Sequence, residues 1–100
     1  MKPQPASQPS GDLPEVAEQG EILGECIRRR RQRLGLTQEQ LARAAGLSRT
    51  ELHYIEKAMR RPKMDTVLRC CVGLGINAVE LLAEVDRRQT ARRLARLGGC

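Results

Sequence analysis

One hundred residues, 40% hydrophobic and 30% charged, suffice for one small domain with tails and leave no room for a second core. The net charge is +6, which favours a polyanionic partner, and the chain has one Tyr and neither Phe nor Trp, which argues against a protein that grips single-stranded RNA by base stacking. No apolar run of about 18 residues and no basic-then-apolar leader appears, so a cytoplasmic chain with no membrane partner is expected.

The charge is unevenly placed. Residues 1–25 carry net −4, residues 26–69 net +8 and residues 70–100 net +2. The first stretch, residues 1–17, holds four of the five prolines along with Ser, Gln and Gly, a composition expected to give a disordered arm. A folded domain is expected over 18–86, followed by a basic tail over 87–100.

From Glu21 the pattern turns helical. Leu23, Ile27, Arg30 and Leu34 recur at helical spacing and Gly35 stands where a helix should stop, which predicts a first helix over 21–34. Arg30 on that apolar stripe is expected to pack its stem and send its head to water. Thr37 with Gln40 makes a capping box for a second helix over 38–45, which buries Leu41 and Ala45. Gly46 offers a left-handed turn, Leu47 plugs the core beneath it, and Ser48 with Glu51 caps a third helix over 49–57.

At about 100° per residue, Ser48, Leu52, Ile55 and Glu56 share one side of the third helix, while Arg49, Thr50, His53, Tyr54 and Lys57 share the other. The first side is core. The second is cationic and rich in hydrogen-bonding groups. Arg60, Arg61, Pro62 and Lys63 form a basic connection to a fourth helix, whose apolar face is read as Met64, Val67, Leu68, Cys71 and Val72, interrupted by Gly73 and Gly75. Asn77 and Glu80 then cap a fifth helix with Leu81, Leu82 and Val85. The tail RRQTARRLARLGGC, rich in good helix formers, is read as a partial extension of that helix, with a solvated tail as the alternative. The reading is all-α: five short helices and no strand.

Enzyme chemistry lacks its parts: His53 is the one histidine, and no glycine-rich phosphate loop follows a strand. Cys26, Cys70, Cys71 and Cys100 lack metal-ligand spacing and are expected as free thiols, with no metal and no cofactor.

The string GLTQEQLARAAGLSRTELHYIE joins a capped helix, a glycine turn and a second capped helix at fixed spacing. With its flanks, over about 60 of the 100 residues, it resembles the phage-repressor-like, or Xre-type, helix-turn-helix family of transcriptional regulators. The resemblance implies a compact five-helix bundle of the lambda-repressor-like kind, placing its third helix in the major groove of double-stranded DNA. Gln38 would bond a phosphate, and Arg49 and Thr50 would meet base edges. Tyr54 would meet a base edge, a thymine methyl or a phosphate. Arg49 leads as a base reader because its fork suits guanine, with a phosphate contact as the alternative. His53, Lys57, Arg60, Arg61 and Lys63 would serve the phosphate backbone.

The family also pairs an arginine late in the first helix with a glutamate late in the third, here Arg31 and Glu56, a structural ion pair. One departure is Ala58, where such sequences usually carry glycine; positive φ there would cost about 1 kcal/mol. The expectation is a repressor located at the nucleoid, binding its operator as a homodimer through Leu81, Leu82 and Val85, unless those residues are core. An antitoxin or accessory regulator that grips a partner protein through its tails is the alternative function. Polycation-like binding of RNA or anionic lipid by the arginine runs is a third.

Overall fold

The computed structural model describes residues 13–98. Its elements are α1 (Pro14–Arg33), α2 (Gln38–Ala45), α3 (Arg49–Glu56), α4 (Met64–Leu74) and α5 (Ala78–Gly98), with no strand among the described residues. Residues 1–12 of the expected arm, and Cys100, lie outside them.

The two capping boxes form as the sequence reads. Gln40 N donates to Thr37 Oγ1 at 3.1 Å and Thr37 N to Gln40 Oε1 at 2.8 Å; Glu51 N donates to Ser48 Oγ at 3.0 Å and Ser48 N to Glu51 Oε1 at 3.1 Å. Each box satisfies donors that a helix start leaves without partners, which is why α2 and α3 begin where predicted. α3 ends at Glu56, with Lys57 as its cap. Asn77 Oδ1 likewise accepts from Glu80 N at 2.7 Å.

α1, α2, α3 and α4 end alike. The chain turns through a residue of positive φ, and the next residue donates back across the last turn: Leu36 to Arg31, Leu47 to Ala42, Met59 to Tyr54 and Ile76 to Cys71. At three of these ends the turning residue is glycine, and Leu36, Leu47 and Ile76 pack against the core. At the fourth the turning residue is Ala58, with φ 56°, and Met59 is exposed.

The core joins Ile22, Cys26 and Ile27 of α1, Leu41 of α2, Leu52 and Ile55 of α3, Val67, Cys70, Cys71 and Leu74 of α4, and Leu81 and Val85 of α5. Three expectations are corrected here. The buried side of α4 is Val67, Cys70, Cys71 and Leu74, whereas Met64, Leu68 and Val72 are exposed. Gly73 does not break α4; it lets the helix approach α2, since a Cβ there would stand 2.9 Å from Leu41 Cδ1 and 3.1 Å from Ala45 N. Leu81 and Val85, expected at a dimer surface, are core, and Leu82 is the exposed member of that trio.

The fourth difference lies at the ends of the bundle. α1 starts at Pro14 rather than 21, and α5 runs on to Gly98, so the expected boundaries at 17/18 and 86/87 fall inside helices. The two extensions run antiparallel and hold each other. Gln89, 3% exposed, donates to Glu15 O at 2.9 Å and accepts from Gln19 Nε2 at 3.0 Å, and Arg96 pairs with Glu18 at 3.0 Å. Arg92 stands within 4 Å of Glu18, Glu21 and Glu25. Acidic residues of one helix meet basic residues of the other. Arg92 and Arg96 of the tail and the glutamates near the arm thereby become part of the fold.

Candidate nucleic-acid interface

α3 is anchored from behind. Leu52 is fully buried and Ile55 and Glu56 nearly so. Gly24 lets α1 lie directly against the α3 terminus, because a Cβ there would run into the carbonyl oxygen of Ile55. Arg31 reaches across the same junction: its Nε donates to Glu56 Oε2 at 2.7 Å, its Nη2 to Glu56 Oε1 at 3.0 Å and its Nη1 to Leu36 O at 2.8 Å. The carboxylate thus exchanges water for a fork of charged donors, the arrangement a buried charge requires.

Gln38 joins this network, with its Nε2 donating to Glu56 Oε1 at 3.1 Å. The side chain expected on a phosphate therefore points at the end of α3. One of its two amide hydrogens remains for another acceptor.

The opposite side of α3 is open. Arg49 and Thr50 on its first turn and Lys57 at its end are exposed, and His53 and Tyr54 are half-buried. The serine cap and the α2–α3 glycine turn place Arg49 and Thr50 at the leading end of the helix. In the turn that follows, Arg60, Arg61 and Lys63 are exposed. The Arg60 guanidinium lies 4.6 Å from the centre of the Tyr54 ring. Such a cation–ring contact contributes about 0.5–1 kcal/mol on a surface, and it folds the turn's first arginine back along α3. Only a lone aromatic near a basic run hints at that stack in the sequence.

Arg30 shows what the sequence reading missed. Its head turns to α5: Nε donates to Glu84 at 2.8 Å and Nη1 to Glu80 at 3.3 Å. The signal was present, because an arginine on the apolar stripe of one helix and Glu84 beside Leu81 and Val85 on another are complementary misfits.

Burial pushes the Cys26 thiol up to about 11 and the Cys70 thiol to about 12, and raises Cys71 as well, so these three buried, unpaired cysteines stay as inert thiols near neutral pH. No group of His, Cys, Asp and Glu among the described residues could hold a metal ion. No single helix among them is long and apolar enough to cross a membrane.

The model of the family described as the helix-turn-helix domain matches residues 22–85, which takes in both capped helices and the turn between them. The chain belongs to this family. It is similar to an HTH-type transcriptional regulator, y4dJ, of Sinorhizobium fredii, 32% identical over 65 residues, which are 65% of this chain and 84% of the relative. Among solved structures it is similar to the clp gene regulator ClgR of Corynebacterium glutamicum, with TM-score 0.70, 25% identity and coverage of 79% of this chain and 88% of that one. It is also similar to the restriction-modification controller protein C.AhdI of Aeromonas hydrophila, with TM-score 0.59, 31% identity and coverage of 61% and 92%. The protein is therefore a helix-turn-helix transcriptional regulator by family, and the family match stops short of the α1 and α5 extensions.

Proposed function

We propose that this regulator reads the major groove of double-stranded DNA with α3 and represses transcription from the operator it occupies. The observation that carries the reading is the division of α3: one side locked to the core through Leu52, Ile55 and Glu56, the other presenting Arg49 and Thr50 at its exposed leading end. A rigidly mounted helix with an arginine on its first turn meets the need for bidentate donation to guanine O6 and N7.

Tyr54 stands one turn on, where a base edge or thymine methyl would follow. Gln38, with its spare amide hydrogen, serves a phosphate, as do His53, Lys57, Arg60, Arg61 and Lys63. Repression is favoured because occupying a duplex already excludes other proteins from it, whereas activation needs a further contact surface.

One α3 reads only a few base pairs, so a homodimer supplies the missing affinity. Leu82, with Val79 on α5 and Met64, Leu68 and Val72 along α4, forms the apolar surface offered to the second copy, since all five are exposed.

Footprinting on a selected duplex, combined with sedimentation, tests the proposal. Two protected half-sites with centres about 34–36 Å apart, or a multiple of one helical turn, are expected from a dimer. A single unrepeated site bound by a monomer would contradict it.

A further inference from the structure

A second cationic surface lies on the side of α1 away from α3. There α1 and α5 border an open groove of about 760 Å³ lined by Arg29, Arg30, Arg33, Arg87, Arg88 and Glu84. Arg31, one position along and about 100° round the helix, faces Glu56 of α3 instead.

Most of the groove's arginines already have carboxylates. Arg29 holds Glu25 at 3.0 Å, Arg30 holds Glu84 and Glu80, and Arg88 holds Glu84 at 3.0 Å. Five arginines thus face three carboxylates, which leaves an excess of two positive charges. Arg33 and Arg87 carry that excess: both are exposed, and neither guanidinium makes a side-chain hydrogen bond or ion pair with another described residue.

We infer that this groove is a binding site for phosphoryl oxygens, with Arg33 and Arg87 as its two free guanidinium forks and Arg29, Arg30 and Arg88 held in place around them. Like charges gathered in a concave site focus the field and raise the local concentration of anions. The planar guanidinium matches phosphate oxygens two at a time. No large apolar or aromatic side chain lines the groove, so the ligand is recognised by its charged oxygens and not by a base or an acyl chain. Arg33 closes α1 four residues before Thr37, so the groove opens beside the turn into α2. Both a duplex backbone running past that turn and a small phosphorylated ligand present the required chemistry. The site does not depend on α3 reading base edges.

The test follows the arginine Nε–Hε signals of the full chain by nuclear magnetic resonance while inorganic pyrophosphate, and separately a random-sequence duplex, is added at fixed chloride. The exposed Arg93 on α5 serves as the internal control. Saturable shifts at Arg33 and Arg87 with pyrophosphate, lost in the R33Q/R87Q variant, are expected.

If the duplex moves the same signals, and the variant lowers the slope of log affinity against log salt by about two, the ligand is the DNA backbone. If pyrophosphate moves them while the duplex and the slope leave them untouched, the site stands with a small phosphorylated ligand. The pyrophosphate arm gives its answer even for a chain that binds no duplex. No saturable shift with either probe, or an equal drift at Arg93, would overturn the inference.

Discussion

Arg31 and Glu56 meet through two parallel donors, at 2.7 and 3.0 Å, and the glutamate side chain is 1% exposed. Because Leu36 O and Gln38 share in the same network, one pair ties α1, the α1–α2 turn and the start of α2 to the end of α3. Removing one partner strands the other charge in the interior. Glu56→Ala or Arg31→Ala is therefore expected to lower unfolding free energy by about 3–5 kcal/mol, and the double change Arg31→Met with Glu56→Leu to recover much of that loss. Urea unfolding checks both. Single variants as stable as the parent would show that the pair is not what anchors α3.

Ala58 occupies a turn position that glycine fills at the ends of α1, α2 and α4. Its φ of 56° presses Cβ toward the following carbonyl, a strain glycine lacks. Ala58→Gly should raise stability by about 1 kcal/mol, read as a higher melting temperature with unchanged helix content. A lower melting temperature would show that the turn is unstrained.

Gly20 and Gly24 lie one turn apart on α1 and predict opposite responses. Nothing lies within 4 Å of a Cβ built at Gly20, so Gly20→Ala should gain about 0.5–1 kcal/mol from helix propensity alone. At Gly24 the methyl would strike the backbone of Ile55 and Glu56, and Gly24→Ala should cost about 1–3 kcal/mol. Chemical denaturation of both variants measures the contrast. Equal effects would contradict the close crossing of α1 and α3.

The ends of the bundle should be acid-sensitive. The bond from Arg96 holds the Glu18 carboxyl below its ordinary value, against the upward push of burial. At Glu84 burial pushes upward more strongly than any single partner, but the bonds and charges of Arg30 and Arg88 together leave that carboxyl lowered too. A carboxylate with a depressed folded value stabilises fully above its unfolded value of about 4.3 and loses that contribution as pH falls through the folded one. Stability should hold from neutral pH to about 5 and then decline below about 4.3. The Glu18→Gln/Glu84→Gln variant should start lower at neutral pH and decline less. An equally steep acid limb in the variant would assign the acid sensitivity to other groups.

Local chemistry made the centre of the fold legible. Thr37, Gln40, Ser48, Glu51 and Gly46 set α2, the turn and the start of α3 through contacts no more than five residues apart, and these are the elements that carry the candidate interface. The start of α1 was not legible for the opposite reason. Pro14 to Gln19 join α1 through partners 70 or more residues away, and a proline-rich start gives no local sign of Gln89. The buried stripe of α4 was misjudged because Gly73 reads as a breaker, whereas its missing side chain is what admits α2. Arg49 and Thr50 were found as an exposed face, while the Tyr54–Arg60 stack and the Gln38–Glu56 bond depend on the tertiary fold.

Everything proposed for α3 turns on Arg49 reading a base. Selecting bound duplexes from a random pool with the parent chain and with Arg49→Ala tests it most directly, with Arg60→Ala as the backbone-contact control. Arg49→Ala should lose about 1–3 kcal/mol on the preferred site and relax the preference at one base position in each half-site, while Arg60→Ala should weaken all sequences alike. Recovery of the same preferred sequence by the Arg49→Ala chain would contradict the account.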